Sequence, residues 1–195
     1  MQAHAGRSTV HTGGEVHVSS GEGTATSSGA ITIRSVNAGA AGTSGYLSFS
    51  SGSSVTGNSG YIHMGTGVAT AGRGGMVLIS VGSGTSSVGG MVQAHAGRST
   101  VHTGGAVVVT SGEGTATSSG VVLIRSSNSG VAGVSGSLLF SSGTSVTGNS
   151  GRVHMGTGAA TAGRGGAVVV TVGSGTSGSG GLVQAHAGRS TVHTG

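Results

Sequence analysis

Apolar residues in this chain stand two apart, in short runs that return about every fifteen residues. Each run follows a glycine that closes the segment before it. Counting from the residue after that glycine, the second and fourth places hold Val16 and Val18, Ile31 and Ile33, and Leu47 and Phe49. They continue with Ile62 and Met64, Val77 and Ile79, and Val92 and Ala94. Alternation of this kind is the signature of a strand with one buried face. Further along, the same places carry Val107/Val109, Val122/Ile124, Leu138/Phe140, Val153/Met155 and Val168/Val170. All stay apolar. The first place does not: Glu15 becomes Ala106, Tyr46 becomes Ser137 and Tyr61 becomes Arg152. The pattern predicts that the first place faces water, while the second and fourth places face inward as a core ladder.

Glycines punctuate the runs. Closing glycines stand at Gly14, Gly29, Gly45, Gly60, Gly75, Gly90, Gly105, Gly120, Gly136, Gly151, Gly166 and Gly181. The intervals are 15 residues, except for the two of 16 that end at Gly45 and Gly136. A second glycine occupies the seventh place of the 15-residue segments, as at Gly21, Gly52, Gly67, Gly82 and Gly97. Glycine takes φ > 0 without steric cost, so two glycines per segment predict two corners. The longer segments carry Val36-Asn37-Ala38-Gly39 and Ser127-Asn128-Ser129-Gly130 instead. These read as a corner or bulge one residue longer.

Places nine to thirteen are small and hydroxylic, as in Gly23-Thr24-Ala25-Thr26 and Ala69-Thr70-Ala71-Gly72. The pattern predicts a second strand there. Its tenth place is Thr9, Thr24, Val55, Thr70, Thr85 and Thr100, then Thr115, Val146, Thr161, Thr176 and Thr191. Thr and Val are nearly isosteric and favour strands. The tenth place is read as inward, with hydroxyls pairing along the stack. The opposite phase would turn a rank of threonines outward.

Above these segments lies a longer repeat. QAHAGRSTVHTG stands at residues 2–13, 93–104 and 184–195, each copy 91 residues after the last. Residues 1–90 and 91–181 are near-copies, and residues 182–195 open a third. Repeats of this kind stack, each contacting its neighbours. The predicted fold is all-β: one continuous, narrow, two-sided β-solenoid over residues 1–195, with about 13 coils. At about 4.8 Å per coil, six coils would rise about 29 Å. The chain is expected to be a slice of a longer array, with Met1 as an added start.

Composition sharpens the picture. There are 45 glycines and no Pro, Cys, Trp, Lys or Asp. Such chains are flexible by default, but strict register argues for order, and the lack of Pro suits a backbone ladder. Cysteine stapling is excluded. No run approaches the roughly 18 apolar residues of a membrane span, and no signal peptide is visible.

Eight arginines against three glutamates leave a net charge of +5. Arg7, Arg34 and Arg73 fall at different places of different segments, and aromatic stacking partners are scarce. A basic solvated surface is therefore expected, with no nucleic-acid partner. Nine histidines raise the question of metal. His17 and His63 share a place three coils apart, about 14 Å. That is far beyond ligand distances of about 2 Å. Asp-rich turns for calcium are missing. Glu15, Glu22 and Glu113 are the sole carboxylates, and no acid is placed to orient a His toward a Ser. Gly72-Arg73-Gly74-Gly75 lacks the Lys-Ser/Thr ending of a phosphate loop. No catalytic residue, metal site, cofactor or small-molecule substrate is expected, and the chain does not read as an enzyme.

Segments such as SGSSVTGNSG (51–60), GTGVATAGRGG (65–75) and SVGSGTSSVGG (80–90) resemble the very long Gly/Ser/Thr-rich tandem-repeat proteins of unicellular algae such as diatoms. The resemblance covers the whole chain and implies a secreted or surface-associated fibrous protein, without catalytic residues to carry over. The expected function is structural: an extracellular or cell-surface fibre segment whose partner is itself, end to end or side by side. The alternative is ice binding by an outward rank of Thr9, Thr24, Thr70, Thr85, Thr100, Thr115, Thr161, Thr176 and Thr191 on a flat face.

Overall fold

The structure is a computed structural model that describes residues 2–190. The chain divides into two units, Met1–Gln93 and Ala94–Gly195. The division falls close to the boundary between the two sequence copies, so each unit holds essentially one 91-residue repeat.

The described residues contain no helix, strand or sheet. The predicted β-solenoid is therefore corrected. Segments that the alternation marks as strands are extended stretches without a backbone ladder. A period of two gives a stretch two sides, but it does not supply the neighbour that a ladder needs. The facing half of each segment offers mostly Gly, Ala, Ser and Thr, which give the second- and fourth-place side chains little to pack against.

No hydrophobic or polar residue is buried among the described residues. The ladder expected to line an interior, from Val16 and Val18 through Val92 and Ala94, stands exposed. The chain exposes 19638 Å². A folded monomer of 18.1 kDa would expose about 8,000 Å², and its extended chain about 26,000 Å².

Sidedness survives without a core. Large apolar residues are 47–62% exposed at the second place and 59–74% at the fourth, against 72–90% at the first and third. Residues 121–124 show the alternation in one run: Val121 87%, Val122 47%, Leu123 73% and Ile124 59%.

Regularity resides in bends. The 15-residue segments bend at 9–11, 24–26, 55–57, 70–72, 85–87 and 100–102, and likewise at 115–117, 146–148, 161–163 and 176–178. These are places ten to twelve. In the two 16-residue segments the bend moves one place on, to 40–42 and 131–133. Each of these segments thus has one bend, and it lies inside the predicted second strand. No described glycine has positive φ, and no bend forms at the seventh-place glycines. The two-corner reading is corrected on both counts: these glycines run in extended backbone that any residue can adopt.

Candidate functional site

The recurrent structural feature is a loop that runs from the seventh-place glycine to the closing glycine. The closing N–H donates to the seventh-place carbonyl: Gly14 to Gly6 at 2.8 Å, and Gly29 to Gly21, Gly105 to Gly97 and Gly120 to Gly112 at 2.9 Å each. Gly181 donates to Gly173 at 3.3 Å. One hydrogen bond therefore joins the two glycines that frame each of these bends.

The two glycines differ sterically. A Cβ added at Gly21, Gly52, Gly67, Gly82, Gly97 or Gly112 would meet nothing within 4 Å. A Cβ at a closing glycine would come up against the sixth- or seventh-place residue, from ordinary contact at Gly45 to overlap at Gly90. At Gly14 it would lie 2.9 Å from the Gly6 nitrogen, and at Gly75 it would lie 3.0 Å from Thr66 Cβ. At Gly90 and Gly181 it would overlap Val81 Cγ1 and Val172 Cγ1. In the Thr66 and Thr157 segments the sixth-place hydroxyl also donates to the carbonyl of the closing glycine, Gly75 at 3.4 Å and Gly166 at 3.3 Å. The close approach of chain to chain is what demands glycine here.

Except at Ala69 and Ala160, the ninth place of the 15-residue segments is serine or glycine, and each shapes the bend in its own way. Where it is serine, its hydroxyl oxygen accepts from backbone N–H groups ahead, as in a Ser/Thr turn. Ser54 Oγ accepts from Gly57 at 3.0 Å, and Ser145 Oγ accepts from Gly148 at 3.0 Å. Ser8 Oγ accepts from His11 at 2.9 Å and from Val10 at 3.4 Å; Ser99 Oγ accepts from His102 and Val101 at the same distances. Where it is glycine, the returning backbone lies directly on it. A Cβ at Gly23 would overlap the Ser27 carbonyl oxygen, and one at Gly114 that of Ser118. Sequence reasoning passed over this place. Its signal was present, because Ser8/Ser99, Gly23/Gly114, Ser54/Ser145 and Gly84/Gly175 are identical pairs 91 residues apart.

The tenth-place threonines stand exposed at the first residue of each bend. This holds for Thr9, Thr24, Thr70, Thr85, Thr100, Thr115, Thr161 and Thr176, and the inward phase is not realised. Thr191 lies outside the described residues. Tyr46 and Tyr61 are exposed at the first place, on the side where the alternation put them.

Among the described residues no group of three or more His, Asp or Glu side chains could hold a metal ion. No described helix is long and apolar enough to cross a membrane. Comparison with family models, with curated proteins and with solved structures gave no match.

What recurs along the chain is thus a pair of parts. One is a polar loop closed between glycines. The other is an extended apolar stretch with its backbone unpaired and its side chains in water.

Proposed function

We propose that the chain is a structural, fibre-forming repeat segment that works by self-association, in the extracellular or cell-surface setting that its repeat wording suggests. The observation that carries this reading is the exposure of the second- and fourth-place apolar residues in segment after segment. Contiguous apolar surface in water is a driving force for association. Here it recurs at a fixed interval, so a second copy presents the same interval. Two copies can engage at many stretches at once, and each contact raises the effective concentration for the next. The glycine-closed loops serve as spacers that keep the stretches apart.

Sedimentation velocity and electron microscopy over a concentration series test the proposal. Association that rises with concentration and ends in filaments supports it. A chain that stays monomeric at every concentration overturns it. The ice-binding alternative needed a flat solenoid face to hold its threonines in a lattice. With the fold corrected, no observation favours it.

A further inference from the structure

The extended stretches are not equal in chemistry. Residues 76–81 are Met-Val-Leu-Ile-Ser-Val, and residues 167–172, at the same point of the second copy, are Ala-Val-Val-Val-Thr-Val. Neither contains a charge, a glycine or a proline. Both are rich in β-branched residues. Six-residue segments of this composition are the ones that stack as paired strands between chains. Residues 106–111, Ala-Val-Val-Val-Thr-Ser, also lack charge and glycine but put Ser111 at the sixth place, where Val81 and Val172 stand. Residues 46–51 and 137–142 carry three serines each, and the remaining stretches carry arginine, glutamate, histidine or glycine. Arg34 and Arg125 end their runs at the fifth place, Arg152 opens its run, and His17, His63 and His154 sit between the second and fourth places. Like charges directly opposite one another destabilise a strand pair, so the stretches that carry Arg34, Arg125 and Arg152 resist stacking on copies of themselves.

The backbone of 76–81 and 167–172 is extended and takes part in no strand. Val81 and Val172 close each segment against Gly90 and Gly181, and Val172 is the least exposed of the large apolar residues among those described, at 44%. The rest of each segment is open. Unpaired N–H and C=O groups on an exposed extended segment are a template for another chain.

We infer that residues 76–81 and 167–172 are the two adhesive segments of the chain, and that the partner of each is the same segment in a second copy, paired through its backbone. This rests on the self-association reading and adds to it the location and the bonding of the contact. A second copy is the occupant because the alternation is self-complementary. An identical segment in register sets apolar second and fourth places against apolar second and fourth places, and it brings no unpaired charge. Area permits it, since the surface in excess of a folded monomer is several times the roughly 1,600 Å² of a standard interface. The two segments lie 91 residues apart, one in each unit, so one chain can join two others, and assembly propagates.

The test uses the full chain. Wild type is compared with Ile79→Pro/Val170→Pro and with Ile79→Ala/Val170→Ala. Proline stays apolar but removes an N–H that a stacked strand needs. Alanine keeps the N–H and removes more apolar surface. Assembly is followed by sedimentation, by the amide I infrared band of paired strands and by fibre diffraction. The expected result is a wild-type assembly with a reflection at about 4.7–4.8 Å. The proline pair raises the concentration needed for assembly about tenfold or more, and the alanine pair raises it less. If the proline and alanine pairs behave alike, or if the proline pair assembles like wild type, backbone pairing at these segments is overturned while self-association stands. If wild type never assembles, both fail.

Discussion

The loops from seventh-place to closing glycine and the apolar stretches that follow them are built by opposite rules. Five loops close on themselves by a glycine-to-glycine hydrogen bond, and four more hold a bond within the bend or to the closing glycine. Gly29 donates to Gly21, and Ser54 takes the Gly57 N–H, within nine residues of chain. The partners these loops use are local, so they form without help from a core. The stretches have no local partner. A strand-like run such as 121–124 can sort its side chains to two sides, yet its backbone and its apolar side need another chain. Local hydrogen bonds are therefore within reach of one part, while the hydrophobic demand of the other is left open. That imbalance is the basis of the self-association proposed above.

The sharpest way to break the contrast is to open a loop from within. Gly114→Ala places a Cβ on the Ser118 carbonyl oxygen, backbone against backbone, and nothing short of opening the bend relieves it. A cost of about 1–3 kcal/mol is expected, read as faster amide exchange at Gly120, whose N–H closes that loop. Gly112→Ala in the same loop meets nothing within 4 Å and should leave Gly120 unchanged. If both substitutions act alike, the steric distinction between the glycines is wrong.

A smaller effect is expected at a closing glycine whose neighbour can be trimmed. Gly181→Ala would overlap Val172 Cγ1. Valine is stiff at χ1, so about 1 kcal/mol of loop closure should be lost. Val172→Ala in the same chain should restore it, as measured by exchange at Gly181. Failure of the second substitution to rescue the first would show that the backbone, not the valine methyl, sets the limit.

Removal of the bend acceptor comes next. Ser99→Ala deprives His102 and Val101 of their acceptor and should cost about 0.5–1 kcal/mol in this exposed setting. Ser99→Thr should retain most of it. The readout is the His102 amide shift and its exchange rate. Thr157→Val should have the least effect, about 0.5 kcal/mol or less. It keeps the shape and loses only the hydroxyl donated to Gly166 at 3.3 Å.

The period of the molecule was legible in the residues, including the longer segments that end at Gly45 and Gly136. The place of the bend was not: the longer corner expected at Val36-Asn37-Ala38-Gly39 and Ser127-Asn128-Ser129-Gly130 does not form, and those segments bend at 40–42 and 131–133. The sidedness of the stretches was legible, since Tyr46 and Val121 lie outermost and Leu47 and Val122 less so. Pairing was not legible. Alternation at Ile31 and Ile33 describes one chain's two sides and says nothing of which chain lies beside it. Glycine misled for a related reason. A glycine permits φ > 0, but it also permits close approach, and the letter does not distinguish the two. Gly90 is there for approach to Val81, whereas Gly82 is in open space. The ninth-place serines were missed because hydroxylic residues throughout places nine to thirteen were read together as one strand.

Amide hydrogen exchange, resolved residue by residue in the dilute full chain, tests the central claim most directly. The account predicts that the closing N–H groups of Gly14, Gly29, Gly105 and Gly120 exchange more slowly than their neighbours. It also predicts that the N–H groups of the second, third and fourth places exchange as freely as in an open chain. Continuous protection through those places, from Val16 to Val18 and again from Val107 to Val109, would mean that the stretches are already paired within one molecule. That result would contradict the account.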